Sequence, residues 1–258
     1  MKFKKYLASV SYDGSCYSGF TKSLNKLTIQ DEIEKALISI FSLYNFEPEI
    51  KCASRTDAGV HAIGQLIVFS LPADKISCDK LIHIINSYLP LTIRFNSLIE
   101  TDKSFSLYSS IESKEYVYLV SRNQLSPFLS RYIWFFDYGD EFERLEKIVS
   151  LFKGEHNFSF LCKDAKKYKS TICRLFESNV FSLNDKSILA FYFKGNRFLY
   201  NMVRRLVGCT LTLATYINEP LLEDFSSLAS PEYLRFTTFK APPNGLYLLR
   251  VNLVNFGI

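Results

Sequence analysis

The order of strand-like and helix-like hydrophobic patterns constrains the fold of this chain most strongly. Alternation with a period of two residues, typical of strands, gives way repeatedly to the three-to-four-residue spacing of helices. The first stretch has the order strand, helix, strand, strand, helix, strand, and the second stretch repeats it. The predicted strands are 5–12, 47–53, 65–71, 93–101, 115–121, 174–182, 187–194 and 246–254, and the predicted helices are 29–43, 78–89, 141–153 and 199–216.

This repeated order predicts an α+β fold. We expect two similar β-α-β-β-α-β halves that share a largely antiparallel sheet with flanking helices. No stretch rich in Pro, Gly or Ser separates the halves, so we expect them to share one continuous sheet. The N-terminal half is predicted to be residues 1–102 and the C-terminal half residues 103–258. Thr28 followed three residues later by Asp31 predicts a capping box at the start of the first helix.

The composition excludes several classes of protein. Of the 258 residues 48% are hydrophobic, which provides a sizeable core and argues against disorder. The net charge of +5 suits a nucleic-acid partner without requiring one. The six cysteines form no CxxC pair and the histidines are far apart, so we expect no metal site. No apolar run is long enough for a membrane span or a signal peptide, so a cytoplasmic protein is expected.

The segment SRTDAGVHA, residues 54–62, interrupts a strand pattern and is the candidate for chemistry. Arg, Thr, Asp and His beside a glycine are typical of a functional loop. Asp57 could act there as a nucleophile or a base. The alternative is an Asx turn, in which Asp57 only binds its own backbone, and the residues alone favour that alternative. We interpret His61 as structural.

The same segment resembles the RTDAGVHA motif of the TruA family of tRNA pseudouridine synthases. Further blocks are similar to this family in the same order along the chain, and together they cover it from end to end. These blocks are YDGSCYSGF at 12–20, TIQDEIEKAL at 28–37, KEYVYLV at 114–120, GNRFLYNMVRRLVG at 195–208 and KAPPNGLYL at 240–248.

The resemblance implies the reaction. Uridine in RNA is isomerised to pseudouridine: the N1–C1′ bond breaks, the uracil turns, and C5 joins C1′, without metal or organic cofactor. Asp57 matches the essential aspartate of the family, and three roles remain open for it: attack on C1′, attack on C6, or removal of the 2′ proton. Arg204 matches the arginine expected to pair with that carboxylate. Its neighbour Arg205 is expected to face solvent or phosphate.

The resemblance also implies the residues that hold the target uridine. Tyr116 matches the tyrosine that packs against the uracil, and Leu246 would form the other apolar wall. Tyr118, two residues further along the same strand, is better explained as a core residue. Arg55 would support or replace the base that is flipped out of the RNA stack.

The implied substrate is the anticodon arm of tRNA, at the nucleotides labelled 38–40, bound across a homodimer. Two alternatives remain open: an inactive relative that only binds RNA, and an enzyme of the same fold with another RNA target. Basic residues that could contact phosphate, with one tyrosine among them, are Lys163, Lys166, Lys167, Tyr168, Lys169, Arg174, Lys194 and Arg197.

Three positions depart from the family pattern. Ser54 stands where the family usually has Gly, and Phe20 stands in place of the tryptophan of its GWQ segment. Tyr108 replaces an arginine upstream of the Tyr-x-Tyr strand. None of these changes removes the aspartate. Each of them leaves open which uridines the protein modifies and how fast it modifies them.

Overall fold

The computed structural model describes residues 3–44, 46–72, 76–183, 187–216 and 224–254. The chain divides into two compact units, the first made of residues 1–112 with 248–258 and the second of residues 113–247. Each unit combines helices with largely antiparallel strands, which confirms the predicted α+β class.

The first unit has the predicted order of strands and helices. Its central strand β1 pairs antiparallel with both β3 and β4, and the short β2 pairs with β3. The elements are β1 (Lys4–Tyr12), α1 (Ile29–Ile40), β2 (Lys51–Cys52), β3 (His61–Leu71), α2 (Cys78–Tyr88), β4 (Ile93–Thr101) and the one-turn helix α3 (Leu107–Ser110).

Helix α1 forms because an apolar stripe coincides with a good cap. Ile29, Ile33 and Leu37 are fully buried on one face. Thr28 Oγ1 accepts the backbone N–H of Asp31 at 3.2 Å, and the Asp31 carboxylate accepts the backbone N–H of Thr28 at 3.2 Å. This reciprocal pair confirms the predicted capping box.

The second unit also follows the predicted order, with short additional elements. Strand β9 pairs antiparallel with β5 and β8, β7 pairs antiparallel with β8, and β6 runs parallel to β5. The elements are β5 (Ile111–Ser121), β6 (Trp134–Phe135), α4 (Phe142–Ser150), β7 (Gly154–Asn157), β8 (Ile172–Leu183), β9 (Ile188–Gly195), α5 (Met202–Tyr216) and α6 (Pro231–Thr237). The last strand, β10 (Leu246–Leu253), begins in this unit and belongs to the first unit from Leu248 onward.

Helix α5 is buried on nearly all sides. Every residue from Met202 to Ala214 except Arg205 is buried, so the helix has no solvent face of the kind seen in an amphipathic surface helix. Within the part of the chain that the structure describes, no helix has both the length and the apolar character needed to span a bilayer.

Several predicted boundaries are wrong for local reasons. The strand predicted at 47–53 is only Lys51–Cys52, because Pro48 has no N–H to contribute to a ladder. The last long helix begins at Met202 rather than 199, because Asn201 has a left-handed backbone with φ of +62°. The first helix ends at Ile40 rather than 43. Strands β6 and β7 and helices α3 and α6 were not predicted.

The capping box gives a test of local stability in the first unit. We expect Thr28→Ala to lower the free energy of unfolding by about 0.5–2 kcal/mol, because Asp31 loses the acceptor for its backbone N–H. Ser77→Ala is the matched control: Ser77 is the N-cap of α2, but its side chain makes no capping hydrogen bond. Urea denaturation measures both, and equal effects of the two substitutions would contradict this account of α1.

Candidate active site

The loop at residues 53–60, between β2 and β3, packs against the turn that follows β1. A Cβ on Gly14 would lie 2.0 Å from the carbonyl oxygen of Val60, and a Cβ on Gly19 would lie 2.7 Å from that of Thr56. Gly19 also has φ of +106°, which side chains rarely tolerate. The two backbones therefore approach more closely than any other residue would allow, which accounts for the paired glycines of the YDGSCYSGF block.

Hydrogen bonds fix the loop against that turn. The backbone N–H of Phe20 donates to the carbonyl of Thr56 at 3.2 Å, and that of Gly59 donates to the carbonyl of Tyr17 at 3.2 Å. The hydroxyls of Tyr12 and Thr56 form a buried hydrogen bond of 2.7 Å. The loop is thus held on both sides of Asp57 by the turn and by the last residue of β1.

Asp57 lies at the tightest point of this loop. The N–H of Val60 donates to the carbonyl of Asp57 at 3.1 Å, and Gly59 has φ of +77°, so the chain reverses direction immediately after the carboxylate. The Asp57 side chain is half-buried, whereas Arg55 is exposed. The hydrogen-bonded loop thus presents one half-buried carboxylate and one exposed guanidinium.

Gln65 supports the loop from inside the sheet, and sequence reasoning missed it. Its side-chain amide donates to the carbonyl of Ser54 at 2.6 Å, and its oxygen accepts the N–H of Ser54 at 3.1 Å. Gln65 is fully buried. A glutamine within the apolar strand sequence IGQLIVF was the available signal, because a buried amide needs hydrogen-bonding partners.

His61 connects the loop to the YDGS turn. Its ring is 2% exposed, and Nδ1 lies 3.1 Å from the backbone nitrogen of Gly14 and 3.2 Å from a carboxylate oxygen of Asp13. Asp13 in turn accepts the N–H of Ser15 at 2.9 Å. These contacts support the structural interpretation of His61.

In the second unit, Tyr116 and Tyr118 occupy neighbouring positions on one face of β5. Tyr116 is 6% exposed and meets the edge of Phe198 with ring centroids 4.9 Å apart. Tyr118 is completely buried, and its hydroxyl donates to the carbonyl of Pro242 at 2.7 Å. Burial raises the pKa of Tyr118 far above its ordinary value, and the cation of Arg204 partly opposes this shift. Tyr118 is therefore a core residue, as predicted.

Arg204 is buried in α5 and is not a surface charge. Only 7% of its surface is exposed. Its Nε donates to the carbonyl of Ala241 at 2.7 Å, and the N–H of Ala241 donates back to the carbonyl of Arg204 at 3.1 Å. The segment that precedes β10 thus fixes the orientation of the guanidinium group.

Leu246 begins β10, directly after the tight turn Pro243–Gly245. A Cβ on Gly245 would lie 2.6 Å from the carbonyl oxygen of Leu119 and 2.6 Å from the ring of Tyr118. Glycine at this position therefore lets the GLYL segment lie directly against the Tyr-x-Tyr strand. Leu246 itself is 6% exposed. The second unit brings Tyr118, Arg204, and the segment that leads to Leu246 into one neighbourhood.

Comparison with known proteins shows the family of this chain. A family model described as tRNA pseudouridine synthase matches residues 8–106 and 148–252. The chain belongs to the tRNA pseudouridine synthase family. Its relatives include proteins named tRNA pseudouridine synthase A, which it matches over nearly their whole length. They come from Thermosipho africanus (31% identical; 96% of this chain and 99% of the relative), Listeria welshimeri (33%; 96% and 98%) and Dictyoglomus turgidum (35%; 94% and 97%).

One expectation for this family member is wrong. Arg205 was expected to face solvent or phosphate, but one of its terminal nitrogens donates to the backbone carbonyl of Cys162 at 2.5 Å. The residue is half-buried. Helical spacing indicated that Arg205 lies away from Arg204, but it could not show that the chain at Cys162 covers this side of α5.

The departures from the family pattern occupy three different environments. Ser54 is buried and held by Gln65, while Phe20 is fully buried and lies 6.0 Å from the ring of Tyr12. Tyr108 is 59% exposed on α3. The first two changes are therefore accommodated in the packing of the loop, whereas Tyr108 presents an aromatic surface where the family usually has a cation.

The close approach at Gly19 can be tested in this synthase. We expect Gly19→Ala to destabilise the protein by more than about 2 kcal/mol, since it adds a clash with Thr56 to an unfavourable φ. We also expect it to lower turnover by roughly 10²-fold, because the Asp57 loop must shift.

Gly139→Ala is the control for the effect of backbone conformation. Gly139 also has a positive φ, of +58°, but a Cβ there would meet nothing within 4 Å. Thermal melting and turnover of tRNA measure both variants. If Gly19→Ala behaved like Gly139→Ala in both assays, close packing would not be what positions the loop.

Proposed function

We propose that this chain isomerises uridine to pseudouridine in the anticodon arm of tRNA, at the nucleotides conventionally labelled 38–40. The observation that carries the proposal is the intact RTDAGVHA loop, held rigidly against the turn after β1 in a chain of this family. The reaction adds and removes no atoms: the N1–C1′ bond is broken, and a C5–C1′ bond is formed. The proton displaced from C5 is released, and the freed N1 takes up a proton.

Asp57 is the proposed catalytic carboxylate. Each of its three candidate roles requires an ionised carboxylate next to the sugar and the base. A nucleophile or base also requires a fixed position, since misplacement by about 1 Å costs on the order of 10²-fold in rate. The hydrogen bonds of Thr56 and Gly59, on either side of Asp57, supply that constraint.

Arg204 is the proposed cationic partner of Asp57. A nearby guanidinium favours the ionised form of a carboxylate, even where water is excluded. The hydrogen bond from Nε to the carbonyl of Ala241 supports this role, because it fixes the guanidinium plane of a buried cation. A lysine at this position could not make the same hydrogen bond to Ala241, since its side chain has no donor equivalent to Nε.

Tyr116, Leu246 and Arg55 are the proposed contacts to the target uridine. Tyr116 and Leu246 each have a small exposed surface on an otherwise buried side chain, which suits the walls of a pocket for a flat base. Arg55 is exposed and follows the clamped Ser54, so its planar guanidinium can support a base displaced from the stack.

The proposed partner is tRNA, bound by a homodimer in the cytoplasm. The net charge of +5 and the basic residues of the 163–169 segment favour a polyanionic substrate. The dimer rests on family analogy. Light scattering at micromolar concentration tests it, and a monomer with full activity would contradict it.

Asp57→Asn tests the central assignment. The substitution keeps the size of the side chain but removes its charge and nucleophilicity. We expect turnover to fall by roughly 10³-fold or more, while tRNA affinity changes far less because phosphate contacts dominate binding. The measurement is single-turnover release of tritium from C5-labelled uridine in tRNA, with binding and melting recorded on the same samples.

Asp102→Asn is the matched control, because Asp102 is an exposed carboxylate on a loop of the same unit. It should leave turnover within about twofold of the parent. A folded Asp57→Asn protein that binds tRNA and keeps the parent rate would contradict the catalytic role and show that Asp57 only forms a turn. A parent protein that binds tRNA without forming pseudouridine would instead indicate an RNA-binding relative.

A further inference from the structure

A surface of the second unit combines two tyrosines with a cluster of cations. Lys163 Nζ lies over the ring of Tyr200, 5.6 Å from its centroid, and the guanidinium of Arg197 lies over the ring of Tyr168 at 6.0 Å. We refer to these four residues as the tyrosine platform. The chemistry proposed above uses none of them, although Tyr200 lies two residues before the helix that carries Arg204.

The backbone holds the two halves of the platform together. The N–H of Tyr200 donates to the hydroxyl of Tyr168 at 2.9 Å, and the N–H of Lys163 donates to the carbonyl of Tyr200 at 2.9 Å. Tyr200 remains 43% exposed. An exposed aromatic ring on a fixed backbone loses little conformational freedom when a flat ligand stacks on it.

The charge around the platform favours an anion. Lys167 is paired with Asp164 at 2.8 Å, and the hydrogen bond in that pair raises the pKa of Lys167. Lys194 faces Glu177 at 3.9 Å. These carboxylates offset only part of the positive charge. Further cations lie in the same segments as the platform: Lys166 and Lys169 flank Tyr168 and are exposed, and the carbonyl of Arg174 accepts the N–H of Asn196 beside Arg197, while Glu155 lies opposite Arg174 in the sheet.

We propose that the platform binds one unpaired nucleotide of the RNA substrate, with its base stacked on Tyr200 and its phosphates at Lys163 and Arg197. Stacking on an aromatic side chain is worth about 5- to 150-fold in affinity, whereas an exposed cation–π contact is worth about 2- to 5-fold. The base therefore displaces the Lys163 ammonium from the ring, and the ammonium moves to a phosphate. This inference rests on the proposed function, because it takes the substrate to be RNA.

The ring of Tyr200 gives the sharpest test. Tyr200→Ala should raise both Kd and KM for tRNA by about 5- to 150-fold, with kcat unchanged within about twofold. Tyr200→Phe keeps the ring and should retain parental binding. Tyr216→Ala is the matched control, since Tyr216 is 68% exposed at the far end of α5.

Salt dependence tests the phosphate contact separately. Lys163→Ala should reduce the slope of log affinity against log salt by about 0.7, the value for one contact to a single strand. Lys147→Ala, an exposed lysine on α4, should leave the slope unchanged. An unchanged slope for Lys163→Ala would overturn the phosphate contact.

Two outcomes would overturn the stacking contact. One is a folded Tyr200→Ala protein with parental Kd and KM, and the other is Tyr200→Phe as weak as Tyr200→Ala, which would assign the effect to the hydroxyl. In either case, a parent protein that still forms pseudouridine would leave the proposed function intact. A parent protein that forms none would contradict the proposed function itself, whatever the variants do.

Discussion

The close backbone contact between the turn after β1 and the loop before β3 is the constraint on which the proposed chemistry depends. At Gly14 and Gly19 the two segments approach so closely that a methyl group would meet a carbonyl oxygen. Hydrogen bonds to Thr56 and Gly59 then fix the loop on both sides of Asp57. A carboxylate on such a loop needs little reorganisation before it reacts. The YDGSCYSGF block and the RTDAGVHA block of the sequence thus pack against each other and together fix the position of Asp57.

Backbone carbonyls hold two buried polar side chains of the second unit by a similar principle. Pro242 accepts the hydroxyl of Tyr118, and Ala241 accepts the Nε of Arg204, so a single segment before β10 orients a buried tyrosine and a buried cation. Gly245 lets the same segment lie against β5. A buried polar group is costly unless it is hydrogen-bonded, and these partners stabilise Arg204 inside α5.

Local sequence signals predicted the elements whose determinants are local. The capping box of Thr28 and Asp31 is one example, and the assignment of Tyr118 to the core is another. The helix Pro231–Thr237 was also readable, since serine followed by proline is a typical helix start, but it was overlooked. Non-local contacts could not be predicted. The carbonyl of Cys162, which accepts a hydrogen bond from Arg205, lies far from it in sequence. Helix periodicity alone cannot show which segment of the chain covers a given face of a helix.

Mapping of pseudouridine at single-nucleotide resolution tests the central claim most directly. The purified protein would be incubated with an unmodified tRNA transcript that carries uridines at positions 38–40 and elsewhere. The account predicts pseudouridine at one or more of positions 38–40 and unmodified uridine at the remaining sites. Pseudouridine confined to other positions would contradict the anticodon-arm assignment, and a transcript without any pseudouridine would contradict the proposed activity.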